Sequence, residues 1–260
     1  MTTIAQGFQA FSPFHGFVIL AVAAVIVAVV RFGLALQKRG RHGVLAVVIA
    51  VGGLLFWFIQ QGYYVLVEQR WHDSLPLHVC DLAGLVGPIA LLCGGPRLLR
   101  TTLYFWAAGL TIWGLLTPTL SRGPEHVTFW LFWINHGGVM LFAAYDCAVN
   151  GYRPRLGDWG MACLVTLAYV AIVMPFNLAN DRWNYGYLGD VELMATTPLA
   201  ILPPWPWRIL GIEVLGALML LGAWAPWAIV RAAHRRPDEA GAARVRGGVD
   251  SAASEKINAG

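Results

Sequence analysis

The strongest constraint on this chain is the recurrence of apolar stretches close to the ~20 residues that a helix needs to cross hydrocarbon. Seven such stretches occur, at 14–36, 43–67, 75–94, 98–117, 127–149, 156–178 and 207–230. Only 12% of the residues are charged and 58% are hydrophobic. A soluble domain of ordinary composition carries about 25% charged residues. The reading is an all-α, polytopic membrane bundle of about seven helices. The connections are short except for 179–206, and no internal repeat is present. Residues 1–230 form one transmembrane domain, and 231–260 read as a polar, disordered tail.

Orientation follows from Lys and Arg in alternate loops. One side holds Lys38, Arg39, Arg41, Arg97, Arg100, Arg153, Arg155, Arg231, Arg235 and Arg236. The other holds Arg70, Arg122, Arg182 and Arg208, with acidic residues among them. The N-terminus is expected outside and the C-terminus in the cytoplasm, with the protein a multi-pass component of the cell membrane. The net charge of +4 is dispersed among loops, so it signals topology, and no nucleic-acid partner is expected. The 12 Trp and 8 Tyr suit interfacial belts.

Ionisable groups inside a span are expensive and tend to mark sites. The first span is nearly featureless and reads as a lipid-facing anchor. Gln60, Tyr64 and Glu68 step by four on the second, which places them on one helix face. The third carries His78, Cys80 and Asp81, the fourth Thr111, and the fifth Asn135-His136-Gly137-Gly138. The sixth ends with Asn177, and the seventh carries Glu213 near its outer end. These groups fall in one half of the bilayer and predict a polar cavity opening outward. The long loop 179–206 is too apolar for a solvated linker, so it is expected to fold over the mouth or lie among headgroups.

His78 and Asp81 are three apart, an arrangement in which a carboxylate orients an imidazole. On a helix, Cys80 would lie about 200° from His78 and face elsewhere, so a thiol–imidazole pair would need His136 from another span. Free cysteine is commonly a small buried hydrophobe, which demotes Cys80. Candidate catalytic residues are therefore His78, Asp81 and His136, with Cys80 the least secure. Candidate substrate-binding residues are Gln60, Tyr64, Asn135, Asn177 and Glu213. His78, Asp81, His136 and Glu213 could suit zinc, but no zinc-site spacing is present, and no metal or cofactor is called. A retinal site is excluded because Lys38 and Lys256 both lie outside the spans. No potassium-filter sequence or acidic ring suggests a channel. Paired broken segments of a transporter are also missing.

Leu75-Pro76-Leu77-His78-Val79-Cys80-Asp81, Asn135-His136, Asn184-Tyr185-Gly186-Tyr187-Leu188 and Pro204-Trp205-Pro206-Trp207 occur in that order. Together, over roughly residues 60–227, they resemble the YwaF-like bacterial integral membrane proteins, related to eukaryotic transmembrane protein 164. The resemblance implies a multi-helix membrane fold. Its eukaryotic branch implies lipid acyl transfer that uses a cysteine beside the third-span histidine and a second histidine on a later helix. His78 and His136 match the histidines, whereas the cysteine position is occupied by Leu77. Thr197-Pro198 stands where Lys-Pro is expected in bacterial relatives. Lipid acyl transfer or hydrolysis, with membrane lipids as partners, is one expectation. A non-enzymatic lipid- or solute-binding or transport protein is the alternative, and a structural subunit a third.

Overall fold

The computed structural model describes residues 7–69, 75–180, 183–192 and 198–258. Arg70, Arg182 and Thr197, used above, lie outside them. All regular structure among the described residues is helical. The elements are α1 (Pro13–Gln37), α2 (His42–Leu66), α3 (Val79–Leu92), α4 (Arg97–Phe105), a π-helical turn (Trp106–Thr111), α5 (Ile112–Leu116), α6 (Val127–Ala148), α7 (Leu156–Ala179) and α8 (Trp207–Asn258). Short 3-10 turns at Tyr185–Tyr187 and Pro198–Ile201 stand between α7 and α8. Among the described residues, five helices are long and apolar enough to cross a membrane: α1, α2, α6, α7 and the 207–233 part of α8. Helix α8 continues through 231–258, where composition predicted disorder. That stretch is rich in Ala and Arg, both good helix formers.

The other two expected spans are built differently. Helix α3 has 14 residues, about 21 Å at 1.5 Å per residue. The expected helix was to begin at Leu75, but it begins at Val79. Pro76 disfavours helical backbone at the preceding residue, and His78 is extended (φ −71, ψ 145) as the N-cap. Gly94 and Gly95, both at positive φ, end α3 in the manner of helix C-termini. From Arg97 to Leu116 the chain is helical throughout, but the π-helical turn divides α4 from α5.

Helices α3 and α6 form the centre. α3 packs on α2, α4, α6 and the π turn, while α6 also meets α1, α2 and α5. Glycines set these approaches. Phe142 of α6 occupies the space where Gly53 of α2 and Gly87 of α3 lack side chains. Gly137 admits Val22 of α1, whose Cγ1 would stand 3.0 Å from an added Cβ. Gly138 makes no such interhelical approach. Helix α1 is almost wholly exposed to its surroundings, as a lipid-facing span should be. Its one buried polar residue, His15, was not singled out in the sequence. His15 Nδ1 accepts from the Phe11 N–H (3.0 Å), which leaves Nε2 to donate to the Leu115 carbonyl (2.8 Å). It is a structural histidine.

The opposite end of the bundle is closed by charge. Arg97 pairs with Asp158 through both its Nε (2.8 Å) and Nη2 (2.5 Å), and Arg100 pairs with Asp146 (2.8 Å). Tyr152 lies under both guanidinium groups, at 5.7 and 5.1 Å, and hydrogen-bonds Thr101 (2.9 Å). Both carboxylates are buried, so each is compensated by its arginine, as a buried charge requires.

These contacts predict unequal glycine tolerance. Gly87→Val should collide with Phe142 and destabilise the bundle by about 1–3 kcal/mol, the usual scale of overpacking. Gly52→Ala, with open space around it, should be neutral or mildly stabilising. Denaturant titration of the purified protein in detergent, followed by tryptophan fluorescence, separates the two.

Candidate functional site

The non-helical entry to α3 exposes backbone groups that the bundle interior must satisfy. The Tyr169 hydroxyl donates to the Leu77 carbonyl (2.8 Å), and the Leu75 N–H donates to the Tyr185 hydroxyl (3.3 Å). Tyr185 is itself fastened by Asn177. Asn177 Nδ2 donates to the Tyr185 carbonyl, and the Tyr185 N–H donates to Asn177 Oδ1, both at 2.9 Å. Irregular backbone inside a membrane protein persists only where protein or a cavity satisfies it. Here tyrosines from α7 and from the 183–192 segment supply the partners.

Next to this entry lies a cavity of about 840 Å³. It is bordered by Gln60, Tyr64, His78, Cys80, Asp81, Asn135, His136 and Glu213. Eight of the nine candidate residues therefore meet around one space. Asn177 is the exception: it does not border the cavity and is spent holding Tyr185. The described part of the long loop borders the same space at Asn184, Gly186, Tyr187 and Leu188. Its return to α8 is tied down by Arg208, which donates to the Val191 carbonyl (3.0 Å) and to that of Gly189. Arg208 is thus engaged with the loop.

Helical geometry separated Cys80 from His78 on the assumption that both belong to a helix. That assumption fails at His78, the extended N-cap, so both residues reach the cavity. The His78 ring stands 5.1 Å from the Tyr185 ring. The Asp81 carboxyl is gripped from two helices: its Oδ1 accepts from Gln60 Nε2 (3.2 Å) and from Asn135 Nδ2 (3.5 Å). One turn away on α2, Trp57 Nε1 donates to the Asp81 backbone carbonyl (2.8 Å). Gly84 makes the Asn135 contact feasible, since a Cβ there would stand 2.7 Å from Asn135 Oδ1.

His136 is placed as tightly. Its Nδ1 lies 2.9 Å from the Phe132 carbonyl one turn earlier, and a carbonyl only accepts, so Nδ1 carries the proton. In the neutral ring Nε2 then bears the free lone pair. The ring stacks on Phe132 (centroids 4.1 Å). It fits only because residue 114 is glycine: a Cβ there would stand 2.5 Å from Nε2.

Three buried side-chain polar atoms of residues bordering the cavity have no hydrogen-bond partner: Gln60 Oε1, Gln61 Nε2 and Thr111 Oγ1. Thr102, Thr117 and Thr166 all donate to the carbonyl four residues earlier, the usual arrangement for helical threonine. Thr111 makes no such bond, and it closes the π-helical turn, where the regular four-residue pattern is broken. Buried polar atoms without partners are uncommon in native proteins. Single π turns inside α-helices are frequent at functional sites. The turn itself left no signal in the sequence. Among the described residues no group of three His, Cys, Asp or Glu is arranged to hold a metal, so His78, Asp81, His136 and Glu213 do not assemble as a zinc set.

Arg122 also borders the cavity. It pairs with Glu68 (2.9 and 3.1 Å) and contacts His126 (2.8 Å). Glu68 lies beyond the end of α2, so the expected Gln60–Tyr64–Glu68 face breaks there and Glu68 turns to Arg122. Burial pushes the Glu68 carboxyl up, but the Arg122 hydrogen bond and charge outweigh it and hold the group below its ordinary value.

With this geometry in hand, comparison with known proteins gives one result. The sequence pattern of the TMEM164 family matches residues 10–224. The chain belongs to the TMEM164 family. The match runs from the N-cap region of α1 into α8 and so includes every residue bordering the cavity. No curated protein and no solved structure matches the chain.

The Glu68–Arg122 pair predicts a pH dependence. Glu68 has a folded pKa below its unfolded value of about 4.3. Its stabilisation is complete above that value and is lost as pH falls through the lower folded one. Arg122 is half exposed, so the contribution is under about 1 kcal/mol. Glu68→Gln should remove this acid limb from the unfolding midpoint measured between pH 3 and 6, while neutral-pH stability falls by no more than that amount.

Proposed function

We propose that the chain is a seven-span protein of the cell membrane whose cavity carries out acyl transfer or hydrolysis on a membrane lipid. The seven spans are the five long helices, α3 with its non-helical entry, and the run from α4 through the π turn to α5. Loop charges support an outside N-terminus and a cytoplasmic C-terminus, with 1–230 as the transmembrane domain and 231–260 as a cytoplasmic tail. The cavity then opens outward beside the described part of the loop between α7 and α8. A reporter active only in the cytoplasm should score positive when fused at the C-terminus and negative in the loop after α2.

The observation that carries the reading is His136: a buried imidazole with Nδ1 committed to the Phe132 carbonyl, in a residue that borders the cavity shared with Asp81 and Cys80. Such a ring serves as general base. A hydroxyl, thiol or water attacks the ester carbonyl carbon while its proton passes to His136 Nε2. As the bond to the leaving alcohol breaks, the imidazolium returns that proton to the departing alkoxide. Cys80 is the thiol candidate. Asp81, fixed by Gln60 and Asn135, supplies a carboxyl group at the same cavity, and His78 adds a second imidazole at the α3 N-terminus. Tyr64, Gln60, Asn135 and Glu213 are the substrate-binding groups. Asn177 acts at a distance, by holding the loop.

A second reading is non-enzymatic lipid or solute binding or transport. It is favoured by one observation: among the described hydrogen bonds, the one His136 makes goes to the Phe132 carbonyl, and no thiol or hydroxyl is joined to its ring.

His136→Ala in proteoliposomes carrying fluorescent acyl phospholipids should lower turnover by about 10²–10⁴, the range for a lost general base, with folding unchanged. Gly114→Ala should lower it too, by displacing the ring. Wild-type protein that gives no product with any lipid class, yet gains thermal stability from one, would transfer the case to the binding reading. Full activity in His136→Ala would overturn the assignment of the base.

A further inference from the structure

The cavity extends beyond its polar groups. Past Glu213 it continues between α7 and α8, bordered by Leu167 and Val170 on one wall and by Gly216 and Ala217 on the other. It stops at Leu220. That side chain is fully buried and packs with Phe105 and Ala162, which do not border the cavity. Leu220 reaches this position because the facing residue of the π turn is Gly109, where a Cβ would stand 3.2 Å from the Leu220 Cα.

Gly216 lies three residues after Glu213 and four before Leu220, on one face of α8. Glycine inside a helix is disfavoured against alanine, and at Gly109 the close approach of α8 explains it. At Gly216 no neighbour does: a Cβ there meets nothing within 4 Å, and the residue borders the cavity. The missing side chain is open space at the cavity wall, one helical turn before Leu220. Away from the cavity, α8 is apolar and exposed at Leu210 and Leu218, as a lipid-facing surface is.

We infer that Gly216 sets the length of acyl chain the cavity accepts, with the lipid's polar end at Asp81 and His136 and its methyl end against Leu220. This rests on the lipid reading of the cavity. The occupant is a single acyl chain of a membrane glycerolipid. Carboxamide, imidazole and carboxyl groups line the cavity from α2, α3 and α6, and beyond Glu213 the α7 and α8 walls carry Leu167, Val170, Leu215 and Ala217, with Cys163 and Thr166 as polar members; that order matches an ester-linked chain. A bulkier side chain at 216 would fill the last turn of the channel without displacing any packed neighbour.

The test uses the full chain in vesicles of phosphatidylethanolamine and phosphatidylglycerol. These contain a trace of phosphatidylcholine bearing a diazirine at the methyl end of one chain, in a short and a long version. After illumination, crosslinked peptides are mapped by mass spectrometry. In the wild type, the long probe should label peptides containing Leu167 and Leu220. In Gly216→Phe, long-probe labelling there should drop about tenfold relative to the short probe, the scale on which apolar pockets discriminate chain length. Gly216→Ala and Gly216→Leu, which add less bulk to the same open space, should give a graded series. If Gly216→Phe does not fold by gel filtration, Gly216→Leu carries the comparison. An unchanged long-to-short ratio in the folded variants would overturn the role of Gly216 and leave the lipid reading standing. Labelling confined to Leu210 and Leu218 with both probes in the wild type would overturn the lipid reading itself, and the inference with it.

Discussion

The backbone around Pro76 is not helical, and in a bundle interior its freed groups must find partners within the protein. Much of the site depends on how that is met. The Tyr169 hydroxyl holds the Leu77 carbonyl, the Tyr185 hydroxyl receives the Leu75 N–H, and Asn177 fixes Tyr185 through two hydrogen bonds. One short extended stretch thus binds α3, α7 and the long loop together. It also sets His78 in the N-cap position, off the helix, so that His78 and Cys80 border the same cavity. A regular helix would have turned them apart.

Glycine governs the other side of the site. Gly84 admits the Asn135 carboxamide toward Asp81, and Gly114 admits the His136 ring. Gly53 and Gly87 receive Phe142, which wedges α6 against α2 and α3. In a membrane, helix association relies on close packing and interhelical hydrogen bonds, because lipid is as apolar as a leucine side chain. The same small residues that let the helices meet therefore shape the cavity. Polar contact and packing are coupled: moving α6 to suit one would disturb the other.

The two ends of the bundle use charge differently. At the Arg97–Asp158 and Arg100–Asp146 end, buried carboxylates are matched one-to-one by arginine and braced by Tyr152. At the other end the Arg122–Glu68 pair is partly exposed, while the cavity holds Asp81 with carboxamide partners. A carboxyl served only by neutral donors is less fully compensated than an ion pair. That asymmetry is consistent with one end built for stability and the other for binding.

Much of the architecture was legible in the chain itself. Runs of some twenty apolar residues leave few alternatives to membrane helices, because every backbone polar group must be satisfied inside the segment. The isolated polar groups within those runs were equally visible: His78, Asp81, Asn135, His136, Gln60 and Glu213 stand out because burying them is costly. What the sequence could not decide was direction. Asn177 has the same residue-level signature as Asn135, yet one ties down a loop and the other faces the cavity. The proton on His136 Nδ1, the room left by Gly114, the π turn that leaves Thr111 unpaired and the open space at Gly216 all depend on neighbours far along the chain. Local pattern fixes which residues are costly to bury; only the packing of helices decides which of them are satisfied by protein and which are left facing a space.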